Sequence, residues 1–362
     1  GGARPTPLTS GRATVATTTT TSSGSLRTYL ITRLLLVIPM VWILVTLVFF
    51  VLRVVGDPIQ SAFGGRLSPA EIAIRRHSAG LDKPLLTQYW HYLVGVSHLD
   101  FGKSLTDNTR ISHILVVNGA ATLELTFWAV LLALVIGVPL GRVAARYRDR
   151  LPDVGLRLFA VLAYAVPVFF LGLLLKLLFA TKLTWFFASG RASPAVEVDI
   201  NNVAPNTHIY IINAIQYGNL SDVWDVLRHT VLPAITLGML VAGVFLRLVR
   251  VNLLQTMRAD YVESARARGV PERRVIRKHA FRNALIPVVT VMGLQVASLL
   301  GGAVLTETTF EWQGLGYKLA YYLGRQDYVA VQGIVTATAV IVAFVSFLID
   351  VVAAMVDPRV RY

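Results

Sequence analysis

The sequence contains no cysteine and few charged residues. Of its 362 residues, 15% are charged and 55% are hydrophobic. Without cysteine the chain has no disulfide bond, no thiolate chemistry and no cysteine-bound metal, so enzymes that depend on any of these are excluded. A soluble globular domain is about 45–50% apolar and about 25% charged. The composition therefore argues against an ordinary soluble enzyme.

In place of charged residues, the sequence has long apolar runs. A helix needs roughly 20 mainly apolar residues to cross a bilayer, and six runs have this length. Runs this long favour membrane helices over buried strands. The prolines inside them are tolerated in a bundle, because neighbouring helices satisfy the freed carbonyl groups. These are Pro39, Pro139, Pro167, Pro233 and Pro287. We predict an all-α membrane protein with six transmembrane helices, at about 30–52, 118–144, 155–181, 229–254, 282–306 and 328–355.

The net charge of +14 is concentrated in two connections between these runs. Because lysine and arginine are enriched in cytoplasmic loops, we expect both connections and both termini to be cytoplasmic. The outer loops are then 53–117, 182–228 and 307–327, and the connection 255–281 is cytoplasmic. The charge lies next to the membrane and not in a separate basic domain, which argues against nucleic acid as a partner. The basic residues are Arg142, Arg146, Arg148, Arg150 and Arg157 in the first connection, and Arg247, Arg250, Arg258, Arg266, Arg268, Arg273, Arg274, Arg277, Lys278 and Arg282 in the second.

Residues 1–25 differ in kind from the rest of the chain. They are rich in threonine, serine and glycine and contain almost nothing to bury, so we expect a disordered N-terminal leader before a permease domain at 26–362. The first apolar run is long and has no small-residue cleavage site. It is therefore interpreted as a retained helix and not as a signal peptide.

The connection 255–281 carries the most information. A short helix of small and basic residues is expected to end at Gly269, and a second helix to begin at Pro271. Small residues such as Ala265 and Ala267 would let the surface of another protein approach closely, with arginines at the rim. The alternative is a basic loop held against anionic lipid headgroups. The spacing alone leaves both possibilities open.

A resemblance favours the first possibility. The order Glu263-Ser264-Ala265, three residues and Gly269 resembles the Glu-Ala-Ala-x-x-x-Gly signature of the cytoplasmic loop of ABC-importer permeases. The continuation, 279–287, resembles the oligopeptide/dipeptide subfamily of these permeases. Further segments are similar to the same subfamily: 80–84, 88–89, 100–104, 229–237, 315–316 and 357–362. The resemblance extends over about 26–362.

The resemblance implies the type I ABC importer permease fold and the import of small peptides by alternating access. It implies a prokaryotic cytoplasmic (inner) membrane location and a second, homologous permease subunit as partner. Two cytoplasmic ATPases would bind ATP and Mg²⁺, and an external solute-binding protein would deliver the solute, so this chain needs no cofactor of its own. The residues implied in ATPase coupling are Asp260, Tyr261, Glu263, Ala265, Arg266, Ala267, Gly269 and Arg274.

Catalytic and metal sites are not expected in this chain. Gly102-Lys103-Ser104 resembles the end of a phosphate-binding loop, but Ser97 stands where the first glycine of Gly-x-x-x-x-Gly-Lys-Ser is needed. No His-Glu-x-x-His pattern accompanies His91 and His98, so the histidines of the outer region are interpreted as surface residues. We therefore predict that the chain is not an enzyme.

Four polar residues within the predicted spans are candidates for the translocation pathway: Glu124, Tyr164, Gln295 and Ser298. Glu124 is an acid inside a span, where burial is costly and function is the usual reason. It lies near the outer end of its helix, however, and the interpretation that it reaches interfacial water has more weight. The other three residues equally fit polar contacts between helices.

Two alternatives compete with a peptide importer. A secondary transporter driven by an ion gradient is also basic on its cytoplasmic side, but such transporters usually have internal repeats, and this sequence shows no convincing repeat. The second alternative is the same importer architecture carrying a non-peptide solute such as a metal chelate.

Overall fold

The structure is a computed structural model that describes residues 1–2, 26–65, 67–78 and 80–356. Most of the predicted leader and the similar segment at 357–362 lie outside the described residues. The described residues form helices and loops without a strand, apart from an isolated bridge between Lys103 and Arg110. The prediction of an all-α fold is therefore confirmed.

The helices are named α1 to α17 in chain order. Two short π-helical segments, Lys176–Lys182 and Val275–Ala280, continue α7 and α12. The helices are α1 (Leu26–Val55), α2 (Pro58–Phe63), α3 (Pro69–Ser78), α4 (Leu85–Ser97), α5 (Ile111–Arg146), α6 (Leu151–Ala165), α7 (Val168–Leu175), α8 (Pro194–Asn201), α9 (Tyr210–Tyr217), α10 (Leu220–Thr256), α11 (Asp260–Ala267), α12 (Glu272–Arg274), α13 (Phe281–Ala284), α14 (Ile286–Gly302), α15 (Val304–Thr309), α16 (Leu315–Gly324) and α17 (Tyr328–Val356).

Among the described residues, α1, α5, α10 and α17 are each long and apolar enough to cross a membrane. Two bent pairs also have the required composition: α6 with the helix at 168–182, and the helix at 272–284 with α14. The candidate spans therefore number four, or six when each bent pair is counted as one span.

The region predicted as one span at 155–181 is not a continuous helix. Its two halves are bent by 102°, and the backbone is extended at Val166, with Pro167 capping α7. A proline disfavours helical geometry in the residue before it, which explains the break. Pro39, Pro139 and Pro233, by contrast, lie inside continuous helices.

The centre of the bundle is the pair α5 and α10, whose backbones approach closely at glycines. A Cβ on Gly137 would lie 2.6 Å from the carbonyl oxygen of Ala242, and one on Gly141 would lie 2.6 Å from that of Leu246. Small residues at helix contacts are what membrane bundles use to gain packing energy. Both positions therefore require glycine if the two helices are to keep this separation.

The bundle has two distinct ends. The arginine-rich end comprises the last turn of α5, the start of α6, the end of α10 and the segment 255–285. The long-loop end comprises the segments 56–110, 183–219 and 303–327. Since α5 runs from Ile111 at the long-loop end to Arg146 at the arginine-rich end, the two ends lie on opposite sides of the core.

Candidate functional site

The short helix α11 lies at the arginine-rich end, where the sequence predicted it. Two acids in its first turn, Asp260 and Glu263, are favourable near the positive end of the helix dipole. Gly269 ends the helix with φ +75°, and its N–H donates to the carbonyl of Arg266 at 2.9 Å. The N–H of Val270 donates to the carbonyl of Ala265 at 3.2 Å. These bonds satisfy carbonyls that a helix end leaves free, and a left-handed glycine makes them possible.

One face of α11 packs against the body of the protein. Val262 and Ala265 are fully buried in a cluster with Leu253, Val275 and Ala280. The prediction that Ala265 lets a partner protein approach is therefore wrong for this residue, because its side chain faces its own bundle. The contact joins α11 to the end of α10 and to the helix that leads into α14.

The opposite face of α11 is open to the surroundings. The exposed candidates of the coupling set are Asp260, Tyr261, Glu263, Arg266, Ala267, Gly269 and Arg274. The Tyr261 hydroxyl accepts a hydrogen bond from the amide of Asn283 at 3.0 Å, which ties this face to α13. The helix therefore presents a charged surface, while its buried face fixes its position against the bundle.

Arg266 forms an ion pair within the chain. Its guanidinium donates to the two carboxylate oxygens of Glu272 at 3.0 and 2.8 Å, and to the carbonyl of Met257 at 3.3 Å. The Glu272 carboxylate raises the pKa of Arg266 above its usual value. This pair joins α11 to α12 across the turn at Gly269.

Beyond this pair, the arginine-rich end is strongly cationic. A surface cavity of about 550 Å³ is lined by Arg273, Arg274, Arg277, Lys278 and Arg282, together with Pro271. Within the described part of the chain, none of these five cations has a carboxylate at ion-pair distance. The region next to α11 therefore presents positive charge that the chain itself does not neutralise.

A buried ion pair anchors α6 to α10 at the same end. The carboxylate of Asp153 accepts from the Nε and Nη2 atoms of Arg250 at 2.6 and 2.7 Å. It also accepts from the backbone N–H of Asp149 at 3.0 Å. Two parallel bonds to a guanidinium fix orientation as well as distance. The sequence analysis missed this pair, because 97 residues separate its members.

Glu124 lies inside the protein at the long-loop end. Its side chain pairs with Arg191, whose Nη2 lies 2.6 Å from a carboxylate oxygen. The backbone N–H groups of Tyr210 and Ile211 donate to the same carboxylate at 3.2 and 2.9 Å. With 3% of its surface exposed, Glu124 does not reach interfacial water, and that interpretation is wrong. Its carboxylate holds the segment 191–211 against α5.

Arg191 was not identified from the sequence. Its guanidinium lies 3.6 Å from the centre of the Tyr210 ring and donates to the carbonyl of His208 at 2.9 Å. A lone arginine in a long polar loop carries no pattern that indicates burial. A useful signal was the acid within α5, since a buried charge needs a partner of opposite sign.

A second buried acid, Glu307, was also missed. It accepts from the Thr122 hydroxyl at 2.7 Å and from the N–H of Tyr317 at 2.9 Å. Burial raises the pKa of this carboxyl above its usual value. Gly314 passes so close that a Cβ there would overlap the Glu307 carboxylate. Glu307 therefore fixes the loop between α15 and α16 onto α5.

Comparisons with known proteins agree with this architecture. The family described as the binding-protein-dependent transport system inner membrane component matches residues 137–362. The N-terminal domain of the same membrane components matches residues 26–126. The chain belongs to this permease family. As a member, it has the fold of the type I importer permeases, and it is a transport subunit and not an enzyme.

Curated relatives cover almost the whole permease. The dipeptide transport system permease protein DppB of Escherichia coli (strain K12) is 40% identical over 339 residues, which cover 92% of this chain and 98% of the relative. The di/tripeptide transport system permease protein DppB of Pseudomonas aeruginosa (strain UCBPP-PA14) is 38% identical over 332 residues, 91% and 97% of the two chains. The glutathione transport system permease protein GsiC of Salmonella typhimurium (strain LT2) is 35% identical over 336 residues, 92% and 99%.

The three remaining pathway candidates of the permease lie on two helices, α6 and α14. Tyr164 on α6 is 71% exposed and lines a mainly apolar cavity of about 430 Å³ beside α10. Gln295 and Ser298 lie on α14, the first half-buried and the second exposed. Their part in translocation stays a prediction, as does that of Glu124.

Gly102-Lys103-Ser104, the segment that resembles the end of a phosphate-binding loop, lies next to the start of α17. Ser104 donates to the buried carboxylate of Asp327 at 2.8 Å, and the N–H of Thr106 donates to the same oxygen at 2.9 Å. Asp327 also accepts from the N–H of Ala330 in the first turn of α17. The segment 102–109 is thereby fixed to the start of α17.

Possible metal ligands among the described residues are histidine and acidic side chains. In the ranges that the structure describes, no group of three histidine or acidic residues is placed to hold a metal ion. His77 is highly exposed and forms a contact of 2.6 Å with Asp82.

Proposed function

We propose that this permease is the membrane-spanning subunit of an ATP-driven importer of small peptides, with dipeptides and tripeptides as its cargo. The names of the similar permeases support this cargo, since they specify dipeptide, di/tripeptide and glutathione transport. An external solute-binding protein would deliver the peptide. A second, homologous permease would complete the pathway, to which Tyr164, Gln295, Ser298 and Glu124 are the candidate contributors.

The proposed orientation places the arginine-rich end and both termini in the cytoplasm. Exposed lysines and arginines next to membrane spans are typical of cytoplasmic loops. In this orientation α11 would dock into one of the transporter's two cytoplasmic ATPase subunits, which would bind ATP and Mg²⁺.

The observation that carries the proposal is the two-sided construction of α11. Its inner face, Val262 and Ala265, is packed against the end of α10 and the helix leading into α14. Its outer face is exposed and charged, which suits a helix seated in a groove of another protein. Because packed interiors transmit displacement and do not absorb it, a movement of α11 would move both membrane helices.

Alternating access follows from this connection. The ATPase pair would close on binding ATP and bring the coupling helices of the two permeases together, which would open the pathway outward. The nucleotide state would then bias a two-state bundle, and the helix contacts would carry the bias.

The test is peptide-stimulated ATP hydrolysis by the complete transporter in liposomes. Glu263→Arg reverses a charge on the outer face of α11 without touching the buried cluster. We expect stimulated hydrolysis to fall by about tenfold or more, since a repelled interface charge costs about 2 kcal/mol or more.

Arg148→Glu is the control, because it reverses a charge by the same amount, in the opposite direction, at an exposed residue of the same end. It should change the rate less than about twofold. Wild-type hydrolysis by the Glu263 variant, in a correctly assembled transporter, would contradict the proposal.

A further inference from the structure

Two adjoining cavities lie at the long-loop end between α1, α4 and α17. The larger, of about 560 Å³, is bounded by Phe49, Tyr92, Lys103 and Gln332 among other residues. The smaller, of about 430 Å³, is bounded by Phe50, Val54 and Leu85 among others. Arg53, Leu81 and Gln88 line both cavities and form the boundary between them.

Arg53 supplies a cation at this boundary that forms no ion pair at bonding distance in the described part of the chain, although the charge of Asp57, in the lining of the smaller cavity, acts on it. Its guanidinium lies 5.0 Å from the centre of the Phe49 ring, and its Nε is buried without a hydrogen-bond partner among the described residues. The acid closest in sequence, Asp57, is paired with Arg76 and caps α2 by accepting from the N–H of Ile59 at 2.8 Å. A buried guanidinium nitrogen without an acceptor is costly, so this position favours an anion.

Gln88 supplies a second unmatched atom on the same boundary. Its Nε2 donates to the carbonyls of Leu81 and Lys83 at 3.1 and 2.8 Å, which fixes the orientation of the amide. The carbonyl oxygen Oε1 is then buried without a donor. The site therefore offers one unmatched donor, on Arg53, and one unmatched acceptor, on Gln88.

The charge of the larger cavity is positive. Three cations line it, Arg53, Lys83 and Lys103, against one acid, Asp100. The Asp100 carboxylate accepts from the N–H of Gly102 at 3.0 Å. Lys83 and Lys103 are exposed at the rim, where they can reach a bound anion.

The smaller cavity lies beside an exposed apolar surface at the end of α1. Val54 of α1 is 88% exposed, and Phe50 and Leu85 are also exposed. Because α1 is a candidate span with only 11% of its apolar window buried, this exposed apolar face suits contact with lipid chains. The smaller cavity thus connects the hydrocarbon region with the cationic cavity behind it.

We propose that the two cavities bind one anionic phospholipid of the long-loop leaflet. Its phosphate accepts from Arg53, with Lys83 and Lys103 at the rim. A hydroxyl of the headgroup donates to Gln88 Oε1, and the acyl chains run from the smaller cavity along α1. Phosphatidylglycerol has the required chemistry, because its headgroup combines one phosphate with free hydroxyl groups. Basic pockets beside membrane helices are suited to such headgroups.

The test is lipid binding to the full chain, purified in detergent with the subunits that accompany it, by native mass spectrometry with added phosphatidylglycerol. Arg53→Gln should weaken binding by about tenfold, because it removes the charged bond to the phosphate. Lys103→Gln, an exposed substitution that spares the fold, should weaken it by about two- to threefold. Arg325→Gln is the matched control, since Arg325 is exposed at the same end outside these cavities, and it should leave binding unchanged.

Two further ligands, phosphatidylcholine and inorganic phosphate, distinguish an anionic lipid from a free phosphate ion as the occupant of the site. Phosphatidylcholine, which has neither net charge nor headgroup hydroxyls, should bind at least about tenfold more weakly than phosphatidylglycerol. Inorganic phosphate should not displace the lipid, and displacement at millimolar concentration would show a free-anion site and overturn the lipid assignment. Equal binding by a folded Arg53 variant would also overturn it. If that variant does not fold, unchanged binding by the Lys103 variant would do so.

Discussion

At the long-loop end, buried acids are matched by donors from the same chain, whereas at the arginine-rich end most exposed cations have no acidic partner among the residues that the structure describes. Glu124 is held by Arg191 and two backbone amides, and Asp327 by Ser104, Thr106 and the first turn of α17. Across the bundle, the five cations around the cavity beside α11 face outward.

The two ends therefore differ in how the chain satisfies their charged groups. Internal ion pairs and hydrogen bonds at the long-loop end fix long segments against α5 and α17. The arginine-rich end is fixed on its inner side by the cluster around Val262 and by the Asp153–Arg250 pair, with the exposed Arg266–Glu272 pair in addition. Its outer surface is what a separate protein would complete.

The largest expected effect is the loss of stability when the buried Glu124–Arg191 pair at the long-loop end loses its cation. Arg191→Ala leaves the Glu124 carboxylate buried without its cation, and loss of one member of a buried pair costs about 3–5 kcal/mol. We expect the free energy of unfolding to fall by about that amount, measured by unfolding in mixed micelles.

The double variant Glu124→Gln with Arg191→Met is the control for this prediction. It removes both charges and keeps an acceptor oxygen for one of the two backbone amides, such as that of Ile211. It should therefore recover much of the lost stability. A single Arg191 variant as stable as the wild type would show that the buried pair does not hold this end together.

A smaller effect should distinguish the two faces of α11. Ala265→Leu overpacks the buried cluster and should cost about 1–3 kcal/mol of unfolding free energy. Ala267→Leu adds the same atoms on the exposed face and should change stability by less than about 0.5 kcal/mol. Unfolding in micelles measures both, and equal losses would contradict the assignment of inner and outer faces.

The smallest effect is expected at the exposed Arg266–Glu272 pair. Glu272→Gln should cost about 0.2–1 kcal/mol, because solvent and salt screen exposed ion pairs. The loss should shrink further at high salt. Unfolding at two salt concentrations checks this, and a loss as large as that of Arg191→Ala would show that the pair is structural.

Local features of the sequence predicted much of the fold. Apolar length located the candidate membrane helices, because a bilayer imposes one length on all of them. The glycine at 269 located the end of α11, because a left-handed residue there closes the last turn.

Features that depend on distant contacts were not predictable in the same way. Pro39 and Pro167 are the same residue type inside similar apolar runs, yet only the second breaks its helix. The partner of Glu124 lies 67 residues away in a polar loop, and an eight-residue helix does not indicate by itself which face meets its own bundle. Ala265 was misplaced for that reason.

The most direct test of the account is where the ATPase subunits touch this chain. A photo-crosslinking residue at Ala267, on the outer face of α11, should form a crosslink to an ATPase subunit in the assembled transporter. The same residue at Leu86, exposed at the long-loop end, should form none. A crosslink from Leu86, or none from Ala267 in an active transporter, would contradict the account.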